Sequence, residues 1–581
     1  MKTRYLAGAG TLAVLAALHG CGGSDDGPVA NGPSEPPPPA VKPRLACADI
    51  TAEALGISRL ELDAAATVDA VAAANPAQAQ PSHCRVRGRL NVRNSEVDGK
   101  AYAIGFELRM PDVWNGRFFF QGGGGTDGAI NPALGSMTGA GATTNALSMG
   151  FAVVSTDGGH TSESEPIVGG SLFGLDPQAR VDYGYNAVGT VTPAAKEIIT
   201  RFYGRAAEHS YFVGCSNGGR QAMVAASRFA DQFDGIVAGN PGFNLPQAAV
   251  QHAWDNQAFA AVAPRTAGDR PIISQAFSMA DMQLVADKAV AACDALDGAA
   301  DGMIDDPVAC KAAFKPEDLT CAGAKDATCL TGPQVEALKK VFGGPKNAKG
   351  EALYADWPYD AGVGTMGWRF WKLGSSETEV PNSLIATLGG GSLPYVFTTP
   401  PTQVRGTGTQ VIDYLLRFSF ETDAPKIYAT NSVYTESAMS FMTPPNPADL
   451  GAFKSRGGKM IVYHGNSDPV FSVNDTIDWY EALRKTHADA ASFARLFTIP
   501  GMNHCSGGPA TDKFDMVTAI VNWVENGVAP DAVQASARAG SDAPWPGRTR
   551  PLCPYPQQAR YLGSGSLEEA KNFRCVTPGA S

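Results

Sequence analysis

The possible folds of this chain are limited above all by one segment, in which an apolar strand leads into a glycine-rich turn and then a helix. The strand is Tyr-Phe-Val at 211–213, the turn is G-C-S-N-G at 214–218, and helical spacing of apolar residues follows from 221 to 229. Glycine permits a sharp reversal and close approach of neighbouring backbone, so Ser216 is expected to stand exposed at the strand end. The alternative is an ordinary glycine turn with an incidental serine.

Strands and helices alternate around this segment. Strands are predicted at 117–121, 151–155, 211–214 and 234–239, with helices at 191–203 and 221–229. This order predicts an α/β fold with a largely parallel sheet. The alternation stops after Pro241 and resumes with strands at 459–464 and 495–499. We interpret the long stretch between these two parts as an insertion, a lid over an α/β-hydrolase fold.

A serine nucleophile needs a base, and in this fold the order along the chain is Ser, then Asp or Glu, then His. Asp468 and His504 each lie in a loop directly after a predicted strand. The carboxyl ends of the strands are where α/β sheets place their ligands, so we predict a triad of Ser216, Asp468 and His504. His464 is the main rival base, but it lies four residues before Asp468 and is predicted to line the pocket. His487, in a polar run, is predicted to be a solvated surface residue.

An oxyanion needs two backbone donors. One is predicted to be the amide of Asn217, directly after the nucleophile. The other is predicted to come from the glycine run at 122–125, which follows a strand and lets backbone N–H groups reach a substrate. The alternative for that run is an ordinary flexible loop.

The N-terminus is typical of an export signal. Lys2 and Arg4 precede an apolar stretch at 6–18 that is too short to span a bilayer. Small residues lead up to Cys21, so the segment is similar to a bacterial lipobox, whose cysteine carries lipid. The alternative is an ordinary cleaved signal with an incidental cysteine. We expect an outer-membrane lipoprotein anchored at Cys21, or a periplasmic or secreted protein, of a Gram-negative bacterium.

The chain is therefore divided into five segments. These are a lipoprotein-type signal peptide at 1–21, a tether rich in Pro and Gly at 22–44, a first core part at 45–246, a lid domain at 247–450 and a second core part at 451–581. The tether contains four consecutive prolines, which favour a stiff, solvated conformation.

The chain has 11 cysteines, an odd number. Setting Cys21 aside leaves an even number, and in an oxidising compartment these are expected to form disulfides. Cys215 directly precedes Ser216 and Cys505 directly follows His504, so a triad would bring the two cysteines together. We predict a Cys215–Cys505 disulfide that spans the active site, the alternative being two separate structural cysteines.

Acidic residues and glycines alternate at 294–305, within the predicted lid. Carboxylate and carbonyl oxygens on a tight loop suit Ca²⁺, although the spacing is not that of an EF-hand. We predict a structural Ca²⁺ site, with Cys293 and Cys310 able to staple the loop. The alternative is an acidic surface turn.

Taken together, these residues resemble the tannase and feruloyl esterase family of α/β-hydrolases, from about Cys47 to Cys575. The resemblance implies Ser216, Asp468 and His504 as the triad and Gly125 and Asn217 as oxyanion donors. It implies calcium ligands from the side chains of Asp294, Asp297 and Asp301 and the carbonyls of Ala299 and Met303. It implies the disulfides Cys47–Cys84, Cys215–Cys505, Cys293–Cys310, Cys321–Cys329 and Cys553–Cys575, and a substrate pocket with Leu245, Trp371, His464, Val470 and Phe471. Each apolar pocket residue has core or lid packing as its alternative.

The sequence departs from one branch of this family. Members that act on a terephthalate monoester carry a lid Arg for the free carboxylate and a lid Phe over the ring. The corresponding stretch here, at 382–389, holds neither residue. A buried carboxylate without a cation is costly, so ester hydrolysis is expected while that particular substrate is not assured.

Composition excludes two broad classes. With 44% hydrophobic residues and a net charge of −11, the chain is neither mainly disordered nor basic, as nucleic-acid-binding proteins normally are. We predict a serine carboxylesterase for small aromatic acid esters of feruloyl, galloyl or terephthaloyl type, while the sequence leaves the oligomeric state open. The alternatives are a peptidase or amidase with the same triad, a non-catalytic binding lipoprotein, and a Ca²⁺-dependent adhesion module.

Overall fold

A computed structural model describes residues 40–404, 408–539 and 542–578 of the chain. The predicted signal peptide, Cys21 and most of the predicted tether lie outside the described residues. None of the helices in the described part combines the length and the apolar character needed to cross a bilayer.

A nine-stranded mixed sheet forms the centre of the molecule, in the order β1-β2-β3-β5-β4-β6-β7-β8-β9. Its strands are Leu60–Val68, His83–Asn94, Ala101–Pro111, Arg117–Gln121, Ala152–Thr156, His209–Cys215, Gly235–Gly239, Lys459–Gly465 and Ala494–Ile499. The first three strands and β5 pair antiparallel, and the ladder from β5 through β4 to β9 is parallel. The predicted α/β fold class is therefore confirmed.

The sequence explains why the parallel strands lie in the middle. Strand β4 has three consecutive phenylalanines and β7 is Gly-Ile-Val-Ala-Gly, and these strands are buried on both faces. Continuous apolar runs of this kind fit a sheet covered by helices on both sides. Phe118 and Phe120 point into one apolar layer and Phe119 into the other, as the alternation along a strand requires.

Fifteen α-helices occur in the described part of the chain. They are, as α1 to α15, Ala52–Leu55, Pro177–Val181, Ala187–Tyr203, Asn217–Arg228, Leu245–Ala260, Met279–Cys293, Pro307–Ala313, Gly332–Phe342, Met366–Lys372, Leu384–Ser392, Gly408–Arg417, Ala438–Met442, Gly451–Ser455, Val473–Thr486 and Met516–Asn526. The core helix α4 packs on β6 and β7, and α15 packs on β7 and β8. Helix α4 begins at Asn217, two positions after β6 ends at Cys215, so only Ser216 lies between the two elements.

The stretch between β7 and β8 contributes no strand to the central sheet among its described residues. Helices α5 to α13 fill it, and the apolar faces of α5 to α12 build a cluster that also takes in Leu172, Phe173, Val470 and Phe471 from outside the stretch. This arrangement places helices of the stretch over the carboxyl ends of the strands. The lid boundaries at 247 and 450 stay a prediction.

Two small hairpins were not predicted from the sequence. Strand β10 (Val533–Ser536) pairs with β11 (Thr549–Leu552), and β12 (Gln558–Tyr561) pairs with β13 (Phe573–Val576). With four residues each, they are too short for periodicity to stand out. Phe573, Cys553 and Ala559 from this region pack with Ala299, so the hairpins back the acidic loop.

Candidate active site

Ser216 lies at the sharp turn between β6 and α4. Its backbone has φ 65° and ψ −126°, a conformation that a residue with a side chain adopts only when the surroundings enforce it. The neighbouring glycines allow this: a Cβ on Gly214 would lie 2.6 Å from the carbonyl carbon of Gly218, and a Cβ on Gly219 would collide with the carbonyl oxygen of Gly239. The G-C-S-N-G turn therefore presents the serine hydroxyl at the end of the strand.

The three predicted triad side chains form one hydrogen-bonded chain. The Nε2 atom of His504 is 2.8 Å from the Oγ atom of Ser216, and its Nδ1 atom is 2.9 Å from Oδ2 of Asp468. Asp468 follows β8 and His504 follows β9, so both side chains come from the carboxyl ends of parallel strands. With the proton on Nδ1, the imidazole can accept the serine proton at Nε2.

Asp468 is completely buried, and its carboxylate has several further partners. Oδ2 accepts a hydrogen bond of 2.7 Å from the Asn240 side chain, and Oδ1 accepts hydrogen bonds of 2.7 Å and 3.2 Å from the amides of Val470 and Phe471. Burial by itself would raise the pKa of Asp468, but the charges and hydrogen bonds of His504 and His464 outweigh it and hold the pKa well below its ordinary value. The group thus remains ionised beside the imidazole.

His464 differs from its prediction as a pocket residue. It is fully buried, its Nδ1 atom is 2.9 Å from the Thr476 hydroxyl oxygen, and its Nε2 atom is 3.1 Å from the carbonyl oxygen of Phe471 and 3.2 Å from Oδ2 of Asp468. The side chain contacts Asp468 and does not border the cavity, because His464 is still part of β8 and stays buried with the sheet.

The five disulfides of the described chain are Cys47–Cys84, Cys215–Cys505, Cys293–Cys310, Cys321–Cys329 and Cys553–Cys575, the pairs that the family resemblance implies. Cys215 and Cys505 have their Cα atoms 6.0 Å apart, although 290 positions separate them in sequence. This link connects the turn that carries Ser216 to the loop that carries His504.

The glycine-rich loop after β4 and the first turn of α4 lie side by side at the serine. Gly125 has φ 56°, which favours glycine, and both Gly125 and Asn217 border the cavity that contains Ser216. Asn217 begins α4, where backbone N–H groups lack helical partners and remain available to an anion.

The buried carboxylate of Asp127 holds these two elements together. It accepts hydrogen bonds of 2.9 Å from the Asn217 side chain, 2.8 Å from the Gln221 side chain and 3.0 Å from the amide of Gly124. Burial raises the pKa of Asp127 to about 6, against the lowering effect of the hydrogen bonds. Sequence reasoning missed this residue, since nothing local distinguishes it from other acidic loop residues.

A mostly apolar cavity with about 450 Å³ of empty space opens at Ser216. Four of the predicted pocket residues, Leu245, Trp371, Val470 and Phe471, border it. Trp371 and Phe471 also make edge contacts with the His504 ring, at centroid distances of 4.9 Å and 5.4 Å. The cavity has further lining residues that the sequence did not single out: Thr126, Tyr183, Ala249, His252, Leu388, Gly389, Ser392 and Phe397.

Spacing along α5 could have identified His252 as a cavity residue. Leu245, Ala249 and His252 are four and three positions apart, which places them on one face of α5. The stretch at 382–389 contributes Leu388 and Gly389 to the cavity wall, in place of an Arg or Phe side chain. A larger cavity, with about 1190 Å³ of empty space, lies elsewhere on the lid, and none of the triad residues lines it.

The acidic loop at 294–305 is folded by its own carboxylates. Asp294 accepts hydrogen bonds from the amides of Asp301 and Gly302, and Asp297 accepts hydrogen bonds from those of Ala299 and Asp305. The Asp301 carboxylate pairs with Arg550. Burial raises the pKa of Asp297 to about 7, and the neighbouring Asp301 and Asp294 add to the effect.

The predicted calcium ligands are of the right chemical type, but their side chains are not grouped around one point. Carboxylate and carbonyl oxygens are the donors that Ca²⁺ prefers. Within the part of the chain that the structure describes, however, no three Asp, Glu, His or Cys side chains are grouped so that they could hold a metal ion. Asp301 is the ligand most affected, because Arg550 engages its carboxylate.

Comparisons with known proteins find similar esterases. The sequence profile of the family described as "Tannase and feruloyl esterase" matches residues 84–576. A mono(2-hydroxyethyl) terephthalate hydrolase from Piscinibacter sakaiensis is 46% identical over 538 residues, covering 89% of this chain and 88% of the relative. Feruloyl esterase C from Talaromyces stipitatus is 28% identical, with 85% of each chain covered. The crystal structure of feruloyl esterase B from Aspergillus oryzae superposes with a TM-score of 0.69 at 26% identity, over 90% of this chain and 97% of that one.

Proposed function

The chain belongs to the tannase and feruloyl esterase family, and on that premise we propose that it hydrolyses small aromatic acid esters through a Ser216–His504–Asp468 triad and an acyl-enzyme. Membership makes it a carboxylic ester hydrolase. The observation that carries the mechanism is the unbroken hydrogen-bonded chain from Oγ of Ser216 to Oδ2 of Asp468 at the floor of an apolar cavity.

In the acylation half, His504 removes the proton from Ser216 as the oxygen attacks the ester carbonyl carbon. The carbonyl π electrons move to the oxygen, and the amides of Gly125 and Asn217 stabilise the resulting oxyanion. The tetrahedral intermediate collapses, the bond to the alcohol oxygen breaks, and His504 gives its proton to the leaving alcohol. The acyl group remains on Ser216.

In the deacylation half, water takes the place of the alcohol. His504 removes a proton from the water, the hydroxide attacks the acyl carbon, and Ser216 leaves with the proton from His504. Asp468 does not exchange the proton. Its carboxylate holds Nδ1–H of the imidazole and stabilises the imidazolium that forms in each half.

The aromatic substrate class is supported by the rings around the cavity. Trp371, Phe471 and Phe397 supply apolar surface, and such rings pack favourably against an aryl group in offset or edge geometry. By their names, the relatives act on feruloyl or terephthalate esters, and both are esters of aromatic acids.

The test is turnover of 4-nitrophenyl acetate and of an ester panel by the purified mature protein. Methyl ferulate, methyl gallate and the terephthalate monoester form the panel, and Ser216→Ala is the negative control. We expect Ser216→Ala to lose at least 10³-fold in kcat. Ser227→Ala, on the outer part of α4, is the matched control and is expected to keep its activity. Equal rates for wild type and Ser216→Ala would overturn the proposal.

We also propose a structural Ca²⁺ ion on the acidic loop, held by the side chains of Asp294, Asp297 and Asp301 and the carbonyls of Ala299 and Met303. Its support is the hard-oxygen donor set on one short loop. Adding CaCl₂ to chelator-treated protein is expected to raise the midpoint of thermal unfolding by several degrees, and Asp297→Asn should reduce that rise. An unchanged midpoint would contradict the proposal.

Disulfide bonds and the esterase relatives indicate an exported protein, and we propose further that Cys21 carries a lipid anchor. In a Gram-negative host, wild-type protein is expected in the outer-membrane fraction. Cys21→Ala is expected to shift it to a soluble fraction or to leave the signal uncleaved. Equal distribution of the two proteins would contradict lipidation.

A further inference from the structure

One polar side chain in the cavity has no assigned role. His252 lines the same cavity as Ser216, Gly125 and Asn217, and only 5% of its surface is exposed. Neither ring nitrogen has a hydrogen-bond partner within the described protein, although the Val470 backbone lies near the ring. A buried imidazole without partners forgoes hydrogen bonds worth about 1 kcal/mol each, unless a ligand supplies them.

The lid makes room for this ring. Gly389 of α10 faces His252 so closely that a Cβ at position 389 would collide with the Nδ1 atom of the imidazole. Leu388 and Ser392 flank the glycine on the same wall. The Ser392 hydroxyl already donates a hydrogen bond to the carbonyl oxygen of Leu388. His252 is therefore a free hydrogen-bonding group on that part of the wall.

The position of His252 along α5 sets its distance from Leu245 on the cavity wall. Leu245 begins the helix and His252 comes seven positions later on the same face, about 10 Å further along the axis at 1.5 Å per residue. Because Leu245, Ala249 and His252 all border the cavity, this wall combines two apolar side chains with one imidazole.

The imidazole is uncharged in the folded protein. Burial lowers the pKa of His252 to about 3, and the positive charge of Lys372 lowers it further. Lys372 cannot itself receive an anionic substrate, because it is buried and its ammonium group pairs with the Asp255 carboxylate. A neutral imidazole donates from one nitrogen and accepts at the other, which suits a hydroxyl group and does not neutralise a carboxylate.

We propose that His252 is a specificity-determining residue that binds a hydroxyl group on the aryl ring of the acyl moiety, so that neutral phenolic esters are preferred over carboxylated ones. This proposal rests on the proposed esterase function and narrows its substrate class. Among the described residues that line the cavity, no Lys or Arg offers an alternative partner for a carboxylate.

The test compares three esters with the same methanol leaving group: methyl 4-hydroxybenzoate, methyl benzoate and monomethyl terephthalate. For the wild type we expect kcat/KM to be highest for the hydroxylated ester, by about tenfold over the other two. His252→Phe should lower kcat/KM for the hydroxylated ester by about tenfold, mainly through KM, and leave methyl benzoate within twofold. His252→Gln, which retains a donor and an acceptor, should keep most of the preference.

A binding experiment separates this proposal from the esterase proposal. Calorimetry with Ser216→Ala measures the affinity for 4-hydroxybenzoate and benzoate without turnover, in the presence and absence of His252→Phe. The expected result is tighter binding of the hydroxylated acid, with the difference abolished by His252→Phe. A uniform loss for all ligands, or a wild-type preference for the carboxylated ester, would overturn the role of His252. Absence of hydrolysis with a retained binding preference would overturn the esterase proposal alone.

Discussion

Ser216 shows how strongly single residues depend on the surrounding backbone in this molecule. Its side chain is correctly placed only while β6, α4 and β7 approach one another through glycines, and a Cβ on Gly219 has no space beside the carbonyl oxygen of Gly239. Backbone cannot yield as a flexible side chain would. The close backbone packing at Gly219 therefore affects both the stability of the fold and the position of the Ser216 hydroxyl.

Gly219→Ala is expected to destabilise the protein by about 1–3 kcal/mol and to lower esterase activity, because the turn that carries Ser216 must shift to admit the methyl group. The matched control is Gly332→Ala at the start of α8, where a Cβ would have nothing within 4 Å. Denaturant unfolding and nitrophenyl ester turnover measure the two effects. A Gly219→Ala protein as stable as the control would contradict the steric argument.

A second residue, Asp475, is expected to contribute to the response of stability to pH. Burial raises the pKa of Asp475 to about 7, and its Oδ2 atom has no hydrogen-bond partner within the described chain. The unfolded chain ionises near pH 4, while the folded protein keeps the proton to about pH 7. The unfolded state therefore binds fewer protons in this window, and the contribution of Asp475 to stability falls as pH rises from 4 to 7.

Asp475→Asn removes this ionisation and keeps an acceptor for the Asn244 side chain, which donates to the carboxylate at 2.9 Å. We expect a gain of about 1–3 kcal/mol over wild type at pH 8 and no gain at pH 4. Thermal unfolding at the two pH values measures the difference, with the exposed Asp318→Asn as control. A gain of equal size at both pH values would show that ionisation is not its cause.

At the scale of elements, the Cys215–Cys505 disulfide joins a helix N-terminus to a distant loop. In the chain-entropy relation, closing a span of 290 positions stabilises by roughly 5–6 kcal/mol, against about 2–3 kcal/mol for the 8-position span of Cys321–Cys329. The two links thus differ in length and in their distance from the triad.

Replacing both cysteines of Cys215–Cys505 by alanine is expected to cost more stability than the same change at Cys321–Cys329. It should also lower kcat, because the turn that carries Ser216 and the loop that carries His504 would no longer be covalently linked. Denaturant unfolding and steady-state kinetics on the two double variants measure this. Equal losses in both variants would contradict a special role for the longer link.

Much of this element-level organisation was predictable. Strand–helix alternation gave β4 to β9 and their parallel order, because buried parallel strands are apolar throughout and their helices have clear periodicity. The antiparallel β1, with only one fully buried residue, and the four-residue hairpin strands carry no comparable pattern. The residues of the proposed triad could be selected from the sequence because each follows a strand. The role proposed for His252 depends on Gly389, which is distant in sequence and adjacent only after folding.

At the scale of the whole molecule, the lid and the hydrolase core share apolar packing. The cluster under the lid includes Leu172, Phe173, Val470 and Phe471, which belong to core loops. Separating lid from core would expose this surface to water, at about 25 cal/mol for each Å².

We therefore expect the lid and the core to unfold in a single transition. Scanning calorimetry should give one peak, with loss of nitrophenyl esterase activity at the same temperature. Replacing residues 247–450 by a short Gly/Ser linker should give an insoluble or unfolded protein. Two separate calorimetric peaks, or a soluble and folded core without the lid, would contradict this expectation.

The covalent tie beside the serine and the histidine has a consequence for when the enzyme becomes active. A newly made chain in a reducing cytosol carries every reactive group but lacks this bond, so only non-covalent contacts join its two reactive loops. Translocation into an oxidising compartment completes the site. Export would then be a step in maturation as well as in transport, because the bond between the two loops forms only where thiols are oxidised.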